Sequence, residues 1–243
     1  MESSAEEPVH SRWEMLAPGV ARRRLPGWDA TVGAVAGATG VLVVDTGATL
    51  GAGAEIRREV RALFGRPVTH VVLTHPHFDH VLGAAAFAGV QVYGAAGLDG
   101  VLLQEREALC ADAVRHGAEP DAVAEAADHL VRPGHLVCGE LTLGLGGGRE
   151  VLLANVGPGH TAYDLAVLVP GSPEVVFCGD LVEESDEPQA GPDALPAQWP
   201  AALDRLLALG GADAMYVPGH GAVVDAAFVR QQRETLARRF AVP

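Results

Sequence analysis

Four side chains able to hold a metal ion, His75, His77, Asp79 and His80, fall within six residues of the stretch Thr74-His75-Pro76-His77-Phe78-Asp79-His80. The apolar run Val71-Val72-Leu73 leads straight into them. Side chains alternate faces along a strand, so His75, His77 and Asp79 share one side if the chain stays extended. A turn into a following helix then brings His80 round from another direction. Imidazoles and a carboxylate at this density suit borderline divalent cations, zinc first among them. Three later segments offer more donors: Gly157-Pro158-Gly159-His160-Thr161, Val176-Phe177-Cys178-Gly179-Asp180 and Val217-Pro218-Gly219-His220-Gly221. Each candidate lies next to a predicted strand, where a sheet delivers side chains to one common edge.

The elements that must position these residues are legible from periodicity and turn residues. Strands are predicted at Thr31 to Ala36 and Val41 to Val44, the second ending in Asp45-Thr46-Gly47. Helical spacing of Ile56, Val60, Leu63 and Phe64 predicts a helix from Ala54 to Phe64, and Val68 to Leu73 returns to strand. A short helix from Val81 to Phe87 precedes a strand at Val90 to Tyr93. Helices are predicted at Leu98 to His116 and from Pro120 to His129, so a helical insertion of about 94–135 separates the first donor cluster from the rest. Short strands follow at Glu140 to Leu145, Glu150 to Ala154, Leu165 to Val169 and Val175 to Cys178. The acidic, proline-punctuated segment Leu181 to Pro200 reads as a loop. A helix at Trp199 to Leu209, a strand at Ala214 to Val217 and a helix at Asp225 to Phe240 end the chain. Residues 1–12 read as a flexible tail and 13–243 as a single domain of two packed mixed sheets with helices outside.

Composition narrows the function. A chain of 243 residues with 49% apolar and 20% charged residues is a globular protein with a sizeable core. A formal charge of −14 argues against a nucleic-acid groove, and the basic clusters Arg22-Arg23-Arg24 and Arg57-Arg58 read as solvated surface. There is no lysine, which excludes any mechanism or substrate clamp built on a lysine amine. Three cysteines without a spaced framework favour a reducing compartment. With no apolar leader and no run of membrane-spanning length, the expectation is a cytoplasmic protein acting on a small-molecule substrate, with no membrane partner. No feature of the sequence sets its oligomeric state. His10, His70, His116, His129 and His135 carry no surrounding motif and read as surface or helix-terminal residues, and Cys178 reads as a core residue.

The pattern His-x-His-x-Asp-His at residues 75–80, followed in order by His160, Asp180 and His220, closely resembles the metallo-β-lactamase superfamily, and the resemblance covers nearly the whole chain. It implies an αββα sandwich, an α/β fold of two mixed sheets flanked by helices. It also implies a ligand set: His75, His77 and His160 for one metal, Asp79, His80 and His220 for a second, and Asp180 bridging the two. Two Zn2+ ions, with Fe or Mn as substitutes, would hold a bridging hydroxide that attacks a substrate carbonyl, with Asp79 also orienting the nucleophile or relaying its proton. Asp45 and Thr161 are candidates to orient the ligands, because metal-bound imidazoles give their other N–H to nearby acceptors.

Departures from better-known branches narrow the choice further. After Asp180 the chain reads Leu181-Val182-Glu183-Glu184-Ser185-Asp186-Glu187-Pro188, without the Gly-Cys-Gly-Arg-like stretch of glyoxalase II or the persulfide dioxygenases. Glu183 stands where acyl-homoserine lactonases carry tyrosine, and His77 stands where flavodiiron proteins carry glutamate. Three readings of different class remain. The first is a binuclear zinc hydrolase of an ester, thioester, lactone or lactam. The second is a mononuclear iron oxygenase of the persulfide dioxygenase type, and the third is a non-catalytic metal-binding relative.

Overall fold

The computed structural model describes residues 12–241, so the predicted tail, apart from Arg12, and His10 lie outside the described residues. Chain order builds one seven-stranded sheet from β1 (Glu14–Ala17), β2 (Val20–Arg24), β3 (Thr31–Ala36), β4 (Val41–Val44), β5 (Val68–Val72), β6 (Gln91–Ala95) and β7 (His135–Val137), each beside the next. Pairing is antiparallel from β1 to β4 and parallel from β4 to β7. The second sheet has five strands in the order β12-β11-β10-β9-β8: β8 (Glu140–Gly146), β9 (Arg149–Asn155), β10 (Leu165–Val169), β11 (Val175–Glu183) and β12 (Met215–His220). Only β11 and β12 run parallel in it.

The sheets pack face to face because their strands carry apolar residues on both sides. Along β4, Leu42 and Val44 point into the layer between the sheets, where they meet Phe177, Val167 and Val217, while Val41 and Val43 point outward. Gly33 on β3 is needed for that contact, since a Cβ there would stand 2.5 Å from the Phe177 ring. The outer face of the large sheet is covered by α1 (Leu50–Phe64), which buries Ile56 and Val60 against Ala34, Val43 and Val71. Each such apolar side chain contributes about 1.5–3 kcal/mol by leaving water. Thr49 caps α1 by accepting the Ala52 N–H at 3.1 Å, and Gly65 closes it in a left-handed conformation. The outer face of the small sheet is covered by α6 (Trp199–Gly210) and α7 (Ala226–Arg239), through Trp199, Leu203, Leu206, Val229 and Leu236. Helices outside two mixed sheets give the expected αββα sandwich.

Between the sheets' donor segments lie α2 (Phe78–Val81), a 3-10 turn at Leu82–Phe87, α3 (Leu98–Gln104), α4 (Arg106–Arg115) and α5 (Pro120–Asp128). The single helix expected at Leu98 to His116 is two, parted at Glu105. The insertion rests directly on the histidine motif: Ala113, Val123 and Ala126 pack with Phe78 and Leu82.

Three expectations are corrected. β1, β2 and β7 were not foreseen, and Arg22 and Arg23, read as surface, are buried on β2. Arg23 pairs with Glu55 and Glu59 of α1, and Arg22 reaches Glu14 and the Gly221 carbonyl, so both charges are compensated in place. The strand ending in Asp180 does not stop at Cys178 but bulges at Gly179 and continues through Glu183, so Leu181, Val182 and Glu183 belong to a buried strand and not to the loop. Finally, His70 lies half-buried on β5 beside Tyr93 and not at the surface or a helix end, whereas His116 and His129 close α4 and α5 as the helix-terminal residues expected.

Candidate metal centre

The carboxyl ends of β4, β5 and β12, the bulge within β11 and the turn leading into β10 meet at one edge of the sandwich, and the donors converge there. Two groups form, each with its donor atoms within 4.8 Å of one another: His75, His77, His160 and Asp180, and Asp79, His80 and His220. Asp180 faces both groups. Its Oδ2 stands 3.4 Å from Nε2 of His75, of His160 and of His220, and its Oδ1 stands 3.2 Å from His80 Nε2. The approach of β12 to Asp180 requires glycine at position 219, where a Cβ would fall 1.8 Å from Asp180 Oδ1.

Each of the five imidazoles turns one nitrogen inward and fixes the other on a protein partner. His80 Nδ1 meets Asp45 Oδ2 at 2.9 Å, and His220 Nδ1 meets the Trp28 carbonyl at 2.8 Å. His160 Nδ1 meets the Gln189 carbonyl at 3.1 Å, and His77 Nε2 meets Asp193 Oδ2 at 3.0 Å. His75 Nδ1 lies 2.9 Å from Thr74 Oγ1, which in turn donates to Asp45 Oδ2 at 2.8 Å. Asp45 therefore steadies one histidine of each group, and its Oδ1 accepts the Thr74 N–H at 2.8 Å. It does so from a left-handed backbone with φ 61°, a conformation that aspartate and asparagine tolerate better than most residues. Outward tethers of this kind set ring orientation and tautomer around metal ions.

The electrostatics also call for a cation. Asp45, Asp79 and Asp180 are all buried within one cluster. Burial disfavours a charge on His75 and His160 and, despite Asp180, holds His75 down to about 4 and His160 well below its ordinary value, leaving neutral rings that can donate a lone pair. Burial likewise opposes charge on His80 and His220, but there the carboxylates win: Asp180, Asp79 and Asp45 raise His80 well above its usual value, and Asp180 with Asp79 pushes His220 up to about 12. A bound dication would compensate the same carboxylates, and its imidazole ligands would then be neutral. Among the described residues, His75 Nε2 and Asp180 Oδ1 are buried without a hydrogen-bond partner, and both aim into the cluster. Orphaned inward donors and neutral nitrogens fit a metal ion.

The structure brings all seven sequence-predicted donors together and places Asp45 beside them. Thr161 does not touch an imidazole: its hydroxyl and N–H donate to Asp164, a buried carboxyl whose burial raises it to about 7. Cys178 is buried in the core next to its strand neighbours, with its thiol on the Val176 carbonyl. Tyr163 packs its ring against Gly97 at the edge of both sheet clusters. Asp193, Gln189, Trp28 and Thr74 escaped the sequence reading. Thr74 adjoins the motif and could have been included, whereas the others act across 29 to 192 residues, two of them through backbone carbonyls that carry no side-chain signal. Glu183, expected in a loop, is buried, and burial with the nearby Asp180 charge pushes it up to about 7.

The family model described as the metallo-beta-lactamase superfamily matches residues 25–220. The 2,4-dinitroanisole O-demethylase subunit alpha of Nocardioides sp. (strain JS1661) is 29% identical over 220 residues, 90% of this chain. The chain spans 58% of the length of that relative. Among solved structures, DIM-1 metallo-beta-lactamase superposes with a TM-score of 0.72 at 18% identity, covering 94% of this chain and 97% of that one. The metallo-beta-lactamase FIM-1 from Pseudomonas aeruginosa, in its mono-zinc form, gives 0.70 at 21% identity over 95% and 96% of the two chains. At these identities the structural likeness concerns the fold.

Proposed function

The chain belongs to the metallo-beta-lactamase superfamily, and from that premise we propose that it is a metal-dependent hydrolase of an ester, thioester, lactone or lactam. His75, His77 and His160 would hold one ion, Asp79, His80 and His220 a second, and Asp180 would contact both. The observation that carries the reading is the convergence of both donor groups on Asp180, with every imidazole tethered on its outer nitrogen. Zinc bound there, or Fe or Mn in its place, would supply an electrophile for the substrate's carbonyl oxygen and a water acidified to a pKa near ~7.

The chain's own groups account for the proton. Asp79 is buried beside His80 and His220 and is the carboxylate placed to orient the nucleophile or relay its proton. Asp79 Oδ2 faces His220 Nε2 at 3.3 Å and His80 Nε2 at 3.6 Å, which leaves Oδ1 as the atom that takes a proton from water and returns it to the leaving group. The outer tethers from Asp45, Trp28, Gln189 and Asp193 keep the rings aimed while this happens.

A second reading follows from the relative: cleavage of an aryl methyl ether at the same residues, supported by 29% identity over 90% of this chain. The completeness of the group Asp79, His80 and His220 weighs against a mononuclear iron oxygenase, which uses only a subset of the donors. The test combines metal analysis of purified protein with a panel of esters, thioesters, lactones, lactams and methyl aryl ethers, with dissolved oxygen monitored. Two metals per chain and acid release from a carbonyl substrate support hydrolysis. Oxygen consumption with one iron, or methanol release from ethers alone, would replace it.

A further inference from the structure

We infer that Gln232 of α7 is a positioning residue for Asp180, its side-chain amide standing in for one residue of a neighbouring strand; this rests on the reading above in which Asp180 contacts both ions. On the buried face of α7 helical spacing asks for apolar side chains, and Val229 and Leu236 supply them. Position 232, between them, holds an amide that is only 6% exposed. A buried amide is costly unless both of its groups are bonded, and here both are.

The partners are backbone groups of the strand that carries Asp180. Gln232 Nε2 donates to the Leu181 carbonyl at 2.8 Å, and its Oε1 accepts the Glu183 N–H at 3.1 Å. In a parallel ladder one residue donates and accepts in the same way, bonding the two groups that flank its opposite number. β11 lacks such a residue at this point. β10 pairs with it only at Val175 to Phe177, and β12 pairs there, at Gly179 and again at Glu183, with register shifts between. Among the described residues, Asp180, Leu181 and Val182 therefore have no partner in either ladder. The Gln232 amide takes the place opposite Val182 and holds the peptides directly after Asp180.

Asp180 is thus fixed from both sides along the chain. Before it, Gly179 turns the strand with a left-handed φ of 54°, and after it the amide clamps residues 181 and 183. The Leu181 carbonyl also accepts the Trp199 indole N–H at 3.0 Å, and the Trp199 ring meets His160 at 5.4 Å, which ties the clamp to the first donor group. Precision matters because the Asp180 oxygens face four imidazole nitrogens at 3.2 to 3.4 Å. Metal–ligand distances tolerate only about 0.2 Å of error, so freedom at Leu181 is felt at the adjoining carboxylate.

Gln232→Met tests the inference, since it nearly keeps length and volume and removes both bonds. Gln232→Asn, one methylene shorter, keeps an amide that cannot span both groups, and it serves if the methionine variant does not fold. Val229→Ala is the control, a purely apolar loss on the same buried face. The measurements are zinc stoichiometry, zinc affinity in competition with a chromophoric chelator, the visible spectrum of cobalt-loaded protein, and the melting temperature. Both Gln232 variants should bind zinc about tenfold or more weakly and shift the cobalt spectrum. Val229→Ala should lower the melting temperature while leaving zinc affinity within about twofold and the spectrum unchanged. A folded Gln232 variant with parental affinity and spectrum, an equal loss in Val229→Ala, or failure of both Gln232 variants to fold would overturn the inference. If the parent takes up a single zinc, the two-metal reading fails at that point, and the affinity for that ion still decides the role of Gln232; if it binds none, both readings fall.

Discussion

Replacing Asp45 by asparagine separates its hydrogen bonds from its backbone. The left-handed φ of 61° at this position suits asparagine as well as aspartate, and the two side chains are equal in size, so the turn after β4 should be unstrained. What changes is the acceptor count. Asp45 takes three hydrogen bonds, from the Thr74 N–H, the Thr74 hydroxyl and His80 Nδ1, at 2.8, 2.8 and 2.9 Å. If the amide oxygen keeps the Thr74 N–H, the amide NH2 confronts two donors, and both the His80 ring and the Thr74–His75 contact lose their anchor. Two charge-assisted bonds of about 1.5–3 kcal/mol each set the ceiling. The part felt by the metal is smaller, about 10–100-fold in affinity, or roughly 1.4–2.7 kcal/mol. The assay is competition for zinc against a chromophoric chelator, with melting curves for metal-loaded and metal-free protein. Asp45→Asn should bind zinc about 10–100-fold more weakly. It should also lose more stability in the loaded protein than in the metal-free one, where removing one of three crowded carboxylates offsets part of the damage. Unchanged affinity, or equal destabilisation in both forms, would show that Asp45 serves the turn alone and not the metal.

Three further outcomes follow from the same geometry. Asp180→Asn should keep the fold, lose or loosen one metal and lower hydrolysis by at least about a hundredfold, as read by metal stoichiometry and initial rates; full occupancy with parental activity would remove Asp180 from between the two groups. Stripping the metals with a strong chelator should lower the melting temperature, since a ligand at a thousandfold excess over its dissociation constant stabilises by about 4 kcal/mol, and calorimetry of verified metal-free protein checks this. The third concerns pH. Burial raises Asp164 from its ordinary carboxylate value to about 7, so between about pH 4 and 7 the folded protein binds a proton there that the unfolded chain has released. That contribution is fully present below the unfolded value and is lost as pH rises through 7, and Asp164→Asn should flatten this part of the stability profile in urea titrations. An unaltered slope would mean that Asp164 is ionised in the fold.

What the sequence revealed and what it hid divide along a physical line. An atom that binds a metal must be an imidazole nitrogen or a carboxylate oxygen, so the donors are restricted residue types. Four of them are also forced into one short run because a single strand end delivers them, and His75, His77, Asp79 and His80 were therefore legible at once. His160, Asp180 and His220, each weak alone in a glycine turn next to an apolar run, were legible because they follow the motif in the order of the metallo-β-lactamase superfamily it resembles. The bulge at Gly179 was not, since glycine before aspartate reads as the end of a strand, whereas here it lets β11 continue to Glu183. Arg22 and Arg23 read as surface because charge normally stays in water; Arg23 finds Glu55 and Glu59 more than thirty residues away on α1, Arg22 finds Glu14 and the Gly221 carbonyl, and only folding supplies the compensation. The outer partners of the imidazoles are the extreme case. Any acceptor will do there, so no residue type is demanded. The Trp28 carbonyl that holds His220 from 192 residues away would serve equally well from another amino acid. A side-chain substitution at Trp28 should then spare the carbonyl tether and disturb the ring contacts with Phe78 and the His116 carbonyl, so the two roles of that residue are separable even though one position performs both.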